Sequence, residues 1–294
     1  MFEVTSNLSP QSERASSTQA KRQLSPDAEQ SLLRKFLVST GRATVGFVAE
    51  SGYVLALAIE SLYWLFFGSF KGQRVRIGVV AAESLQVGVR ALPILFLLSF
   101  AIGAMLAIQG VHTLKQFGAE TQVVLAIALS VTREFAPLVT AVLVAGRTGS
   151  ALAAKIGTMQ VNQEVDALRV MGINPVRYLV SPVLVAMLLM SPCLTFFSII
   201  SAMFGGAVYC NLEFGLGYTA YLDQSLSFIK VDDLVQGFAK SFVFAVLITL
   251  IGAANGFAVR GGAEGVGRYT TRSVVLAISS IVVADMVFTF FLNR

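Results

Sequence analysis

Residues 91–110 read ALPILFLLSFAIGAMLAIQG, twenty consecutive residues without a charge. At about 1.5 Å of rise per residue such a helix is roughly 30 Å long, the thickness of a bilayer's hydrocarbon core. The rest of the chain repeats the pattern. Apolar stretches at 123–146, 178–210, 234–259 and 273–292 are separated by short polar or glycine-rich segments. Only 13% of the 294 residues are charged and the mean hydropathy is +0.73. A soluble domain carries about 25% charged residues, so this chain could not cover an aqueous surface. The reading is an all-α, polytopic membrane protein of about five spans over 91–294.

Residues 1–30 are polar and rich in Ser and Gln, with Glu3, Glu13, Asp27 and Glu29, and read as a disordered cytoplasmic tail. The stretch has no apolar core of the signal-peptide kind, and its acidic residues argue against a transit peptide. Residues 31–90 are expected to form an interfacial or re-entrant amphipathic helix and a basic connector. The apolar part to residue 68 is interrupted by Arg34, Lys35, Arg42, Glu50 and Glu60 and ends in Tyr63, Trp64, Phe66 and Phe67; the connector carries Lys71, Arg74, Arg76 and Arg90.

The net charge of +5 would suggest nucleic acid in a soluble protein. Here the cations flank apolar spans, so orientation is the better reading and no nucleic-acid partner is expected. The 147–177 segment (Arg147, Lys155, Arg169, Arg177) and the 260–272 loop (Arg260, Arg268, Arg272) are basic; the intervening loops hold only His112, Lys115 and Lys230. The positive-inside rule puts the basic set and the N-terminus in the cytoplasm and the C-terminus outside. Cys193 and Cys210 lie on one apolar run, roughly 25 Å apart if it is helical, beyond disulfide reach. His112, the single histidine, has no ligand-spaced partner, so no metal is expected.

Charges inside spans are costly and face a bundle interior or a cavity. Arg133 and Glu134 fall near the middle of the second span, beside Pro137. Lys240 lies about six residues from the outer end of the fourth span and Asp285 about eight from that of the fifth. The last two share a depth and differ in sign, so they are expected to pair or to join one network. Adjacent helical residues point about 100° apart. Arg133 and Glu134 therefore cannot serve one small site, and at least one needs a partner on another helix. These four residues are either struts that neutralise one another or, with Glu134 central, part of a substrate path. Small-xxx-small spacings at Ser201–Gly205, Ala145–Gly149 and Gly252–Gly256 allow close helix contact, expected within the chain.

Asn162 reads as an N-cap, with Glu164 and Asp166 in the first turn; Val165, Leu168 and Met171 recur at helical spacing, and Gly172 and Pro175 end the element. A short amphipathic helix on the cytoplasmic face follows. It is either an ordinary surface helix or a docking element.

Three segments together resemble the MlaE (YrbE) permease family: Arg133-Glu-Phe-Ala-Pro-Leu138, Ala145-Gly-Arg-Thr-Gly-Ser-Ala151 and Ala167-Leu-Arg-Val-Met-Gly-Ile-Asn-Pro175. Lys240-Ser241, Asn255-Gly256 and Thr270-Thr271-Arg272 follow in order, and the likeness covers roughly residues 31–294. The resemblance implies the permease subunit of an ABC-type system of the bacterial inner membrane that moves phospholipids or related lipids between membranes. It implies a permease homodimer, a cytoplasmic ATPase that binds the ATP and Mg, a periplasmic MCE-domain lipid-binding protein and, in some complexes, a STAS-domain subunit. Gln163, Glu164, Asp166, Leu168, Arg169, Met171 and Gly172 would then belong to the helix that couples to the ATPase. Glu134 would match the family's intramembrane glutamate, and Lys240 and Asp285 its charged positions in the last two spans. Two features depart from the family: Gln163-Glu164 stands where Glu-Gln is usual, and the N-terminal tail is longer.

The chain itself is expected to be neither an enzyme nor a cofactor binder. No G-x-x-x-x-G-K-[ST] loop is present, and the nearest text, Gly262–Tyr269, lacks the lysine and the hydroxyl. An ion-gradient-driven transporter using Glu134 and Asp285 is the main rival, although no interrupted pair of spans betrays two repeats. A scaffold without transport is the third reading.

Overall fold

The structure, a computed structural model, describes residues 45–46, 48–49, 52–64, 77–119 and 122–292. The 1–30 tail, most of 31–51 and the first part of the basic connector lie outside these residues. The chain divides at Tyr53, and the geometry below belongs to the unit Val54–Arg294.

Five helices among the described residues are long and apolar enough to cross a membrane. The first is α1 (Ile77–Val87) continued through a 3-10 turn into α2 (Leu92–Lys115). The second, α3, spans Val123–Val161. The short α4 (Glu164–Val170) follows, then α5 (Val176–Phe214). After α6 (Tyr218–Phe228) come α7 (Val231–Phe257) and α8 (Gly262–Leu292). No strand occurs among the described residues.

The helices outrun the apolar text that predicts them. Hydropathy marks where lipid stops, but a helix stops only where its backbone finds another way to bond. Residues 77–90, read as a connector, are helical and continue into α2. The 147–177 segment, read as a polar loop, stays helical as far as Val161. At 39 residues, α5 would be roughly 58 Å long and must leave the hydrocarbon at one end or both. It runs unbroken past Pro192.

Asn162 is not the N-cap that its spacing suggests. It closes α3, its amide bonding back to Thr158, and Gln163 takes a left-handed conformation at φ 61°. The Asn162 side chain instead reaches Glu164 at 3.1 Å. The far end of α4 follows the expected chemistry. Gly172 sits at φ 74°, and Ile173 N–H donates to the Leu168 carbonyl at 2.9 Å, the long bond of a Schellman closure.

Close approach of backbones holds the bundle together. A Cβ on Gly103 would lie 1.8 Å from the Ala202 carbonyl oxygen, and one on Gly205 would lie 2.1 Å from that of Phe100. The α2–α5 seam thus exists only because neither residue has a side chain; buried Ser99 and Ser198 share a 2.7 Å hydrogen bond along it. A second seam joins α3 to α7, where Gly252 faces Gly149, and Gly256 faces Ala153 and Ile156. The small-residue spacings at Ala145–Gly149 and Gly252–Gly256 are spent here, inside one chain. Buried side chains form two clusters. One includes Leu95, Val144, Ile156, Leu168, Phe244 and Ile248 towards the basic end. The other includes Val111, Ile127, Val131, Met203 and Tyr221 towards the opposite end. In the second, α6 lays the Tyr221 ring beside Gly206, and burial pushes the Tyr221 phenol pKa up.

Before α1, residues 54–64 are helical and lie at the basic end. Asn174 donates to Glu60 at 2.6 Å, and the Arg177 guanidinium stands 5.3 Å from the centre of the Trp64 ring. Leu55 and Ile59 remain exposed on the other side of this helix. One segment thus packs on protein on one side and leaves apolar residues exposed on the other.

Candidate functional site

Lys240 is the centre of the intramembrane charges. Its side chain is 0% exposed; the ammonium hydrogen-bonds to Glu134 and Thr289 and forms an ion pair with Asp285. It meets Glu134 at 2.5 Å, Asp285 at 2.8 Å and the Thr289 hydroxyl at 3.1 Å. The Thr289 hydroxyl passes the bond on, donating to Glu134 at 3.1 Å. Glu134, Lys240 and Asp285 are therefore one cluster contributed by α3, α7 and α8. With both carboxylates ionised its formal charge is −1.

Arg133 turns away from this cluster. Its guanidinium meets Asp233 through Nη2 at 2.6 Å and Nε at 2.7 Å. Asp233 is buried at the start of α7, where its other oxygen accepts from the Lys230 backbone N–H at 2.8 Å. One carboxylate thus neutralises an intramembrane arginine and caps a helix.

Two members of this network escaped the sequence reading. Thr289 is four residues beyond Asp285, so the two share a helix face, and that spacing was the available signal. Asp233 lies seven residues before Lys240, two turns along α7, and that spacing was its signal.

The α3 backbone departs from α-helical form at this site. Val131–Phe135 is a π-helical turn, and a second occupies Ala145–Gly149. Pro137 has no N–H, and its ring would clash with the carbonyl four residues earlier, that of Arg133; a wider turn there relieves the conflict. The cluster is also off-centre. Glu134 is eleven residues from the Val123 end of α3 and twenty-seven from the Val161 end, because the helix extends beyond the apolar stretch that had made it seem central.

Beyond Phe135, a groove of about 900 Å³ runs between α2 and α3, lined by Ile94, Leu98 and Ile102 on one side and Phe135, Leu138 and Val142 on the other. Its wall is apolar until Arg147 and Ser150. Phe135 lines this groove, whereas its chain neighbour Glu134 turns to Lys240.

A second candidate surface is α4. Val165 and Leu168 are buried against the bundle, so they hold the helix in place. Gln163, Glu164, Asp166, Arg169 and Gly172 are exposed, and Arg169 pairs with Asp166 at 3.1 Å. Val170 is 90% and Met171 64% exposed. Sequence periodicity had grouped Met171 with the buried face. The helix ends at Val170, so Met171 leaves that face and projects with Val170. Among the described residues, no group of three His, Cys, Asp or Glu side chains is arranged to hold a metal ion.

A family model described as Permease MlaE matches residues 80–291, most of the chain and every element just described from α2 to α8. This chain belongs to the MlaE permease family. It is 31% identical to a probable ABC transporter permease protein of Rickettsia prowazekii, over 88% of this chain and 98% of that one. It is 32% identical to the intermembrane phospholipid transport system permease protein MlaE of Haemophilus influenzae, over 77% and 88% of the two chains. It is 34% identical to the chloroplastic protein trigalactosyldiacylglycerol 1 of Arabidopsis thaliana, over 70% and 59%. The chain is thus a multi-pass ABC transporter permease, a transport subunit rather than an enzyme. Permease MlaE membership covers Glu134, Arg133, Lys240, Asp285 and α4 alike, since all lie within the matched residues.

Proposed function

We propose that this MlaE-family permease moves phospholipids or related lipids between membranes. In this reading it sits in the bacterial inner membrane as a homodimer, with its N-terminus cytoplasmic and its C-terminus periplasmic. A separate cytoplasmic ATPase binds ATP and Mg and supplies the energy. An MCE-domain lipid-binding protein works on the periplasmic side, with a STAS-domain subunit in some assemblies. The single observation that carries the reading is the apolar groove between α2 and α3, which ends on the cation of Arg147. Apolar walls beside a fixed charge suit an amphiphile better than a water-soluble solute. The phospholipid and galactolipid words in the relatives' names support the same class.

The ATPase is proposed to seat on α4. Its exposed Val170 and Met171 form a small apolar tip ringed by Glu164, Asp166 and Arg169, the kind of anchor that fills a partner's pocket. Leu168 supports the helix from behind. The test is co-purification of the ATPase with Val170→Asp/Met171→Asp, with Leu168→Asp alongside. The double variant is expected to insert and purify as a monodisperse permease that has lost its ATPase, whereas Leu168→Asp disturbs the fold itself. Wild-type recovery of ATPase by the double variant would refute the docking assignment. Phospholipid movement by the permease without any ATPase would favour the ion-driven carrier.

A further inference from the structure

We infer that Arg147 anchors the phosphate of a glycerophospholipid whose acyl chain lies in the α2–α3 groove. This rests on the lipid-transport reading and adds the place where the headgroup is held.

Among the described residues Arg147 is a cation without a counter-ion. No carboxylate among the described residues pairs with it, and its Nη1 atom is buried without a hydrogen-bond partner. A buried, unpaired guanidinium donor is expensive to leave unsatisfied. The carboxylate that shares its cleft, Glu83, is committed to Lys155 at 2.8 Å. That cleft, about 270 Å³ between α1 and α3, is also lined by Gln86 and Thr148. Arg147, Lys155 and Glu83 sum to +1, complementary to the single negative charge of a phosphodiester.

Arg147 lines both the polar cleft and the apolar groove, so the two meet at this residue. From Gly146 to Phe135 the groove follows eleven residues of α3, roughly 17 Å, about half the hydrocarbon thickness. A ligand with a phosphate in one compartment and an acyl chain in the other satisfies both; inorganic phosphate would leave the groove empty. A guanidinium fork matches phosphate oxygens in pairs, which a lysine at the same place could not do. The second π-helical turn of α3 centres on Arg147, and Ser150 Oγ donates to the carbonyls of Gly146 and Arg147, holding that irregular turn together. In the proposed orientation the basic residues put this end at the cytoplasmic side, so the anchored headgroup lies at the cytoplasmic leaflet.

The experiment uses the full-length permease co-expressed with its ATPase and reconstituted in nanodiscs of phosphatidylglycerol and phosphatidylcholine. The probe is phosphatidylglycerol with a photoreactive acyl chain, and crosslinked peptides are identified by mass spectrometry. Wild type is expected to crosslink along Ile94–Ile102 and Phe135–Val142. Arg147→Gln should lower that yield by roughly tenfold, the loss of one charge-assisted contact. Arg147→Lys should restore part of it, and Val142→Trp should block the groove with Arg147 intact. Retained ATPase and an unchanged elution profile show that each variant is folded. Wild-type crosslinking by folded Arg147→Gln would overturn the anchor while leaving lipid transport standing. No crosslinking by wild type anywhere in the chain would count against the transport reading itself. Displacement of the probe by excess inorganic phosphate would show a simple anion site and overturn the lipid assignment.

Discussion

Replacing Lys240 by Met tests whether the buried cluster is a balanced unit. Methionine keeps much of the length and apolar bulk of the lysine stem, so packing is nearly preserved and the ammonium is what disappears. The change leaves Glu134 and Asp285 without the cation that each contacts within 2.8 Å. Breaking a buried pair by removing one partner costs about 3–5 kcal/mol. Glu134 is 29% and Asp285 16% exposed in their side chains, so water relieves some of this, and about 3 kcal/mol is the better figure. For a chain of this size that is a fall in Tm of roughly 6–12 °C. The assay is a thermal melt of the detergent-purified permease, followed by size-exclusion fluorescence. Lys240→Met/Glu134→Gln/Asp285→Asn removes all three charges and should recover most of the loss, because neutral side chains there need no counter-ion. A single variant that melts within about 1 °C of wild type would refute the reasoning, since one kcal/mol should move the midpoint by more than that. So would a triple variant no more stable than the single. Lipid-transfer activity of the stable triple variant then separates a strut from a working site: a strut tolerates neutralisation, whereas a substrate path loses transport with the fold intact.

Other expectations follow from the same geometry. Gly103→Ala drives a Cβ into the Ala202 carbonyl oxygen at 1.8 Å, so the α2–α5 seam must open at a cost of about 1–3 kcal/mol; Gly110→Ala, whose Cβ would meet Val123 at an ordinary 3.6 Å, is the control in the same thermal melt. Equal stability of the two variants would show that the seam is not backbone-tight. Asp233→Ala removes the Arg133 counter-ion and the cap on α7 together, and should lower the melting midpoint by several degrees. Asp232→Ala, at an exposed neighbouring position, should change it little; equal effects would deny Asp233 its double role.

The sequence by itself determined the properties that depend on each residue's preferred solvent. A charge-free run such as 91–110 names a span wherever its neighbours lie, and Arg147, Lys155 and Arg260 mark one side of the bundle from the chain alone. The motif around Arg133-Glu134 and that around Leu168–Pro175 likewise pointed to the family now matched over residues 80–291. Shared depth and opposite sign were enough to expect Lys240 beside Asp285, because depth is counted along the chain. Tertiary structure alone decided what depends on helix rotation and neighbour identity. Neither the turning of Glu134 towards Lys240 and Arg133 towards Asp233, nor the exposure of Met171 beside buried Leu168, is written in spacing. Span lengths belong to the same class: Val123–Val161 remains helical past its apolar text because Gly149, Ala153 and Ile156 pack against α7. Local sequence sets where a helix prefers to be, whereas only packing sets which way it faces and how far it runs.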